Sequence, residues 1–105
     1  MLPARYVIHA VGPRWYGGRH NEANLLASCY RCAHDIARAH NLNTVVFPAI
    51  SCGAYGYPVD EAAGIAVREV AQFLEVESTI ELVYLVCFDP ETEAVYRISL
   101  RSYRL

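Results

Sequence analysis

Apolar and polar positions along this chain switch between two periods, and the switches mark out its elements. Residues 5–11, Arg-Tyr-Val-Ile-His-Ala-Val, are a short apolar run closed by Gly12-Pro13, which predicts a strand. A loop with Trp15, Gly17 and Gly18 follows. Asn21 is placed to cap a helix running to about His40. Its apolar positions Leu25, Leu26, Cys29, Tyr30, Ala33, Ile36 and Ala37 recur at three and four, the helical spacing. Asn41-Leu42-Asn43 ends it. Thr44 to Ile50 is almost continuously apolar, as expected of a strand covered on both faces. Pro58 opens a second helix to about Leu74, with Ala62, Ala63, Ala66, Val70, Ala71, Phe73 and Leu74 as its buried stripe. Ile80 to Phe88 predicts a third strand. Asp89-Pro90 begins a last helix, with Ala94, Val95 and Ile98 inward and Arg97, Arg101 and Arg104 towards its C-terminus.

The order β-α-β-α-β-α predicts an α/β layered domain with parallel strands and right-handed crossovers. In such sheets ligands bind beyond the carboxyl ends of the strands. Three loops gather there: Gly12 to Gly18, Ser51 to Tyr57, and Phe88-Asp89.

The length, 105 residues, fits a single domain, 1–105. Apolar residues make up 54%, enough for a packed core. Net charge is -2, and all nine basic residues are arginine. That balance lacks the basic face that non-specific nucleic-acid binding needs. No apolar run approaches the roughly 20 residues of a membrane span. The opening Met1-Leu2-Pro3-Ala4-Arg5 shows no secretory pattern. Cys29, Cys32, Cys52 and Cys87 sit on apolar stretches and read as reduced thiols of a cytoplasmic protein.

The chemistry concentrates in one segment, Phe47-Pro48-Ala49-Ile50-Ser51-Cys52-Gly53-Ala54-Tyr55-Gly56-Tyr57-Pro58. A strand ending in a glycine loop at a helix N-terminus makes an anion site. Backbone N–H groups point into the loop, and the helix dipole adds partial positive charge. Gly53 and Gly56 let the backbone turn sharply and approach a ligand. Tyr55 and Tyr57 flank the loop and suit stacking on a sugar or base. The plain alternative is a βα turn whose glycines serve geometry alone.

Other residues read more simply. Cys52, near a helix N-terminus, is in a place that lowers a thiol pKa, but no partner histidine is placed beside it, and a nucleophile is not the favoured reading. Cys29 and Cys32 form a Cys-x-x-Cys inside a helix, where packing is the favoured role over zinc binding. His9 reads as a hydrogen-bonded strand residue. His20, His34 and His40 read as loop or helix-surface residues. Asp60 and Glu61 complement the helix dipole, with acid–base work as the alternative. Trp15 and Tyr16 either cover a ligand or anchor their loop.

Leu-Pro-Ala-Arg-Tyr-Val-Ile-His-Ala-Val-Gly-Pro at 2–13, the loop segment at 47–58 and Val-Cys-Phe-Asp at 86–89 together resemble the macrodomain family. The nearest subgroup is the ADP-ribosyl hydrolase and O-acetyl-ADP-ribose deacetylase type. The resemblance implies a three-layer α/β/α fold in truncated form, with three strands alternating with three helices. It implies that the loop Ser51, Cys52, Gly53 and Ala54 holds a diphosphate through main-chain amides. Many relatives have threonine where Cys52 stands. Tyr55 then packs on the distal ribose, Gly56 permits the turn, Phe88 lies at the adenine end and Asp89 follows it.

The resemblance covers only the C-terminal part of a macrodomain. The family's earlier strands, and the loop with the aspartate implicated in hydrolysis, have no counterpart here. No residue is therefore assigned as catalytic, and neither cofactor nor metal is implied. In the family's sheet a strand from the earlier part lies between those matching 5–11 and 44–50. Its lack predicts direct pairing of the two, or an oligomeric contact. The expected function is binding of ADP-ribose, or of an ADP-ribosylated small molecule or protein, with hydrolysis of O-acetyl-ADP-ribose or ADP-ribosyl esters as its enzymatic extension. The alternative is a non-catalytic α/β remnant that self-associates through open strand edges.

Overall fold

A computed structural model describes residues 8, 10–53, 55–76 and 80–101. The order is α1 (Glu22–Ala39), β1 (Thr44–Pro48), α2 (Val59–Glu75), β2 (Leu82–Val86) and α3 (Pro90–Arg101). The α/β class and its three helices are as expected. β1 and β2 pair in parallel, in register from Thr44 opposite Leu82 to Pro48 opposite Val86. The expected first strand, 5–11, and its pairing with 44–50 fall largely outside the described residues; Ile8, Ala10 and Val11 belong to no strand.

Helix ends follow local chemistry. Asn21 stands in the left-handed region with φ 63° and makes no side-chain cap to the helix, so it caps by position only. α1 stops at left-handed Asn41, with the Leu42 amide donating to the Ala37 carbonyl at 3.0 Å, a C-terminal closure that asparagine tolerates. Pro58 occupies the N-cap of α2. Asp89 caps α3, its Oδ1 accepting from the Thr92 amide at 2.7 Å.

The core is one cluster: Leu26, Tyr30 and Ala33 of α1, Phe47 of β1, Ala62 and Ala66 of α2, and Tyr96 of α3. α2 packs against both α1 and α3. The helices therefore gather on the side of the sheet that carries Phe47. The opposite side carries Val46, Leu82, Tyr84 and Val86, and all four are exposed. β1 was expected to be covered on both faces. It instead alternates, because among the described residues nothing lies over that second face.

Three side-chain placements differ from the sequence reading. His34 is fully buried, not on the surface; its ring stacks on Phe73 at 4.1 Å and its Nδ1 donates to the Tyr30 carbonyl at 2.6 Å. In α3 the inward residues are Thr92 and Tyr96, with Val95 half-buried, whereas Ala94 and Ile98 are exposed. Tyr96 sets that phase by reaching into the core. In α1 and α2, Leu25, Ile36 and Leu74 are exposed. Between the two helices, Glu69 is buried and accepts from Arg31 through both oxygens, at 3.0 and 3.3 Å.

Candidate functional site

The turn after β1 uses three left-handed residues in six positions: Ser51 at φ 66°, Gly53 at 84° and Gly56 at 71°. Alternating handedness is the backbone pattern of anion-binding nests, in which amides turn towards one side. Three loop amides close the turn itself: Cys52 to Ala49 O at 3.3 Å, Gly56 to Gly53 O at 2.9 Å and Tyr57 to Ser51 O at 3.0 Å. Of the residues expected to hold a diphosphate, Cys52 thus has its amide turned inward. The Gly53 and Tyr55 amides meet no acceptor among the described residues. Ala54 lies outside them. The loop runs straight into the N-terminus of α2, whose dipole adds to the field.

The loop is held from the side by the Gly12–Gly18 segment. Ser51 Oγ donates to the Pro13 carbonyl at 2.7 Å, and the Trp15 amide to the Tyr55 carbonyl at 2.9 Å. A Cβ on Gly12 would collide with Ser51 Oγ and Ile50 Cγ2. This glycine is there for close approach, since its backbone needs no unusual φ. Trp15 packs on Tyr57 with ring centroids 4.7 Å apart. Trp15 is therefore a loop anchor. Tyr57, expected to flank a ligand, is buried beneath the loop, because Trp15 claims its ring face.

Glu22 organises the segment. Its carboxylate accepts from the amides of Tyr16 at 2.8 Å, Gly18 at 3.0 Å and His20 at 2.6 Å. Burial pushes this carboxyl up, but the amides together outweigh it and bring it down to about 2. Sequence reasoning passed over Glu22. The available signal was an acidic residue opening a helix directly after a Gly-Gly loop.

The remaining expected site residues meet at the same sheet edge. Tyr55 is exposed. The Phe88 ring, 61% exposed, lies 3.9 Å from where a Gly53 side chain would start. Phe88 and the loop therefore share one surface. Asp89 is engaged as the cap of α3. Asp60 and Glu61 are exposed in the first turn of α2. Cys52 lies under the loop with Sγ 3.9 Å from Tyr96 Oη. Burial pushes the Cys52 thiol up, against only a partial opposing effect from Tyr96. A raised thiol is a poor nucleophile, so the helix-terminus lowering considered from sequence is outweighed. His9 lies outside the described residues. Among the described residues no three His, Cys, Asp or Glu side chains are grouped to hold a metal ion, and no helix is long and apolar enough to cross a membrane.

The family model for the Macro domain matches residues 1–66. The chain is 53% identical over 102 residues to an O-acetyl-ADP-ribose deacetylase of Klebsiella pneumoniae, covering 97% of this chain and 58% of that protein. It is 52% identical over 92 residues to a macro domain-containing protein of Methanosarcina mazei, covering 88% and 49%. Among solved structures it superposes on the Oceanobacillus iheyensis macrodomain with ADP at a TM-score of 0.90, with 40% identity, over 96% of this chain and 53% of that one. It superposes on a Trypanosoma brucei macrodomain in complex with ADP at 0.85, with 33% identity, over 94% and 41%. The chain thus spans about half the length of the relatives it matches. Sequence, loop geometry and superposition agree that this chain belongs to the macrodomain family.

Proposed function

We propose that the chain binds ADP-ribose, or an ADP-ribosylated molecule, through the turn after β1. The carrying observation is the left-handed turn at Ser51, Gly53 and Gly56, with the Gly53 and Tyr55 amides meeting no acceptor among the described residues beside the N-terminus of α2. In this reading the two amides and that of Ala54 receive the diphosphate, and the helix dipole favours its charge. Tyr55 packs on the distal ribose and Phe88 on the adenine. The solved relatives that hold ADP support the assignment. The reading extends to hydrolysis of O-acetyl-ADP-ribose or ADP-ribosyl esters, supported by the name of the Klebsiella relative. The fold would act there by orienting substrate and water, with no residue of this chain assigned as catalytic. A cytoplasmic setting goes with it, supported by four unpaired cysteines.

Calorimetry with ADP-ribose tests the binding. Heat should be released with wild-type chain, and Gly53→Val should weaken affinity about tenfold or more, since a β-branched residue resists φ 84°. No heat and no thermal shift at millimolar ADP-ribose would remove the reading. A second reading, self-association, is favoured by the exposed apolar side of the sheet. The two are compatible, because that side, with Val46, Leu82, Tyr84 and Val86, and the loop involve different residues.

A further inference from the structure

α1 carries two apolar stripes. One faces the core through Leu26, Tyr30 and Ala33. The other, Leu25, Cys29, Cys32 and Ile36, lines an open cavity of about 380 Å³ whose far wall includes Val11 and Gly12. Two thiols thus stand one helical turn apart at the same cavity. Cys32 is exposed and Cys29 is half-buried. Cys29 Sγ donates to the Val11 carbonyl at 3.1 Å. Burial pushes the Cys29 thiol up, and the neighbouring Cys32 adds to this, so the two sulfurs sense each other.

Helix geometry sets residues i and i+3 about 5 Å apart at Cα, inside the window of about 4.4–6.8 Å that a disulfide requires. At Cβ such a pair stands about 5–6 Å apart in a regular helix, wider than the roughly 3.5–4.5 Å of a disulfide, so closure needs the backbone of this one turn to shift as well as the side chains to rotate. We infer that Cys29 and Cys32 are a redox-active dithiol that closes to an intrahelical disulfide by exchange with a small disulfide of the glutathione class. The exposed Cys32 attacks first as its thiolate: one sulfur of the glutathione disulfide bonds to Cys32 Sγ, and one glutathione thiolate leaves. Cys29, giving up its proton, then attacks Cys32 Sγ and expels the second glutathione. The protein loses two protons and two electrons, and glutathione disulfide becomes two thiols. The Cys29 S–H is consumed, so the Val11 carbonyl loses its donor. In a reducing compartment such a pair is a transient sensor and not a structural bridge. The nucleotide loop takes no part in the step.

The second thiol pair, Cys52 and Cys87, is less suited. Both are half-buried on separate segments, so neither offers an exposed thiol for the first attack.

The test incubates the whole chain with a series of glutathione and glutathione disulfide ratios, quenches in acid, and reads intact mass and peptide maps. Expected is loss of two of the four free thiols, with Cys29 joined to Cys32 and no retained glutathione. Cys29→Ser should stop at a glutathione adduct on Cys32, and Cys32→Ser should form no disulfide. Phenylarsine oxide, which needs two sulfurs within reach, should bind one per chain and lose binding in either variant. A stable glutathione adduct in the wild type, a Cys52–Cys87 bridge, bridges between chains, or arsenical binding unaffected by both variants would each overturn the inference.

Discussion

At the residue scale, the loop depends on two small facts of space and charge. Gly12 has no room for a side chain against Ser51 and Ile50. Gly12→Ala should therefore cost about 1–3 kcal/mol, the usual range for overpacking, and should weaken ADP-ribose binding by displacing Ser51. Urea midpoints and calorimetry on the same variant read both. Glu22 is the other fact. Its folded pKa, about 2, lies below the ordinary 4.5, so the unfolded chain binds a proton first as pH falls. The stability it contributes is complete above about pH 4.5 and is lost as pH falls towards 2. Glu22→Gln should lower stability at neutral pH and flatten its dependence across that window, which urea midpoints at stepped pH would show. An unchanged slope would mean that the three amides do not hold the charge. Part of this site was legible in the residues themselves. Gly53, Gly56 and the following Pro58 announce a turn into a helix because few other residues allow it. The buried fate of Tyr57 was not legible, since its partner Trp15 is 42 positions away in sequence and no local pattern couples them.

At the element scale, a buried histidine makes α1 sensitive to pH. His34 sits in the core between Tyr30, Phe47 and Phe73. Burial pushes its pKa down, opposed in part by the Tyr30 carbonyl. The native state thus refuses a proton that the unfolded chain accepts, and stability should fall as pH drops below about 6.5. His34→Phe should remove that part of the slope, measured by thermal melts between pH 7.5 and about 5. Arg31, which joins α1 to the buried Glu69, offers a second check. Arg31→Ala should lower the urea midpoint, because it takes two charged hydrogen bonds from a buried carboxylate and leaves it only Arg68, 3.5 Å away. α1 and α2 were readable to within a residue or two because their apolar spacing is strong, and Asp89 marks the start of α3. Their phases were less so. In α1 the side facing Phe73 holds a histidine, and polarity alone assigns a histidine to solvent. In α3 a single aromatic, Tyr96, outweighs Ala94 and Ile98, which a hydropathy count weighs equally with it. β1 read as doubly covered because every residue from Val45 to Ile50 is apolar. Such a run records the cover a strand is suited to, and the described residues supply only one side of it.

At the scale of the whole molecule, the side of the sheet left open among the described residues bears on self-association. Val46 is 59% exposed and Tyr84 52%, and they stand opposite each other in the β1–β2 register. Leu82 and Val86 are exposed on the same side of the paired strands, on a chain whose net charge is only -2. Little charge repulsion opposes association, and exposed apolar patches of this kind mark contact sites. A second copy is the occupant this argument favours. The wild-type chain should therefore shift towards a dimer as concentration rises in sedimentation or light scattering. Val46→Lys with Tyr84→Lys should hold it monomeric, because two added cations per face cannot be buried against their counterparts without large cost. Neither substitution touches the turn at Ser51 to Gly56, so ADP-ribose heat per chain should survive in the monomeric variant. If binding vanished together with the dimer, the pocket would be completed by the partner copy. If wild-type chain stayed monomeric throughout, the open face would have no role in self-association.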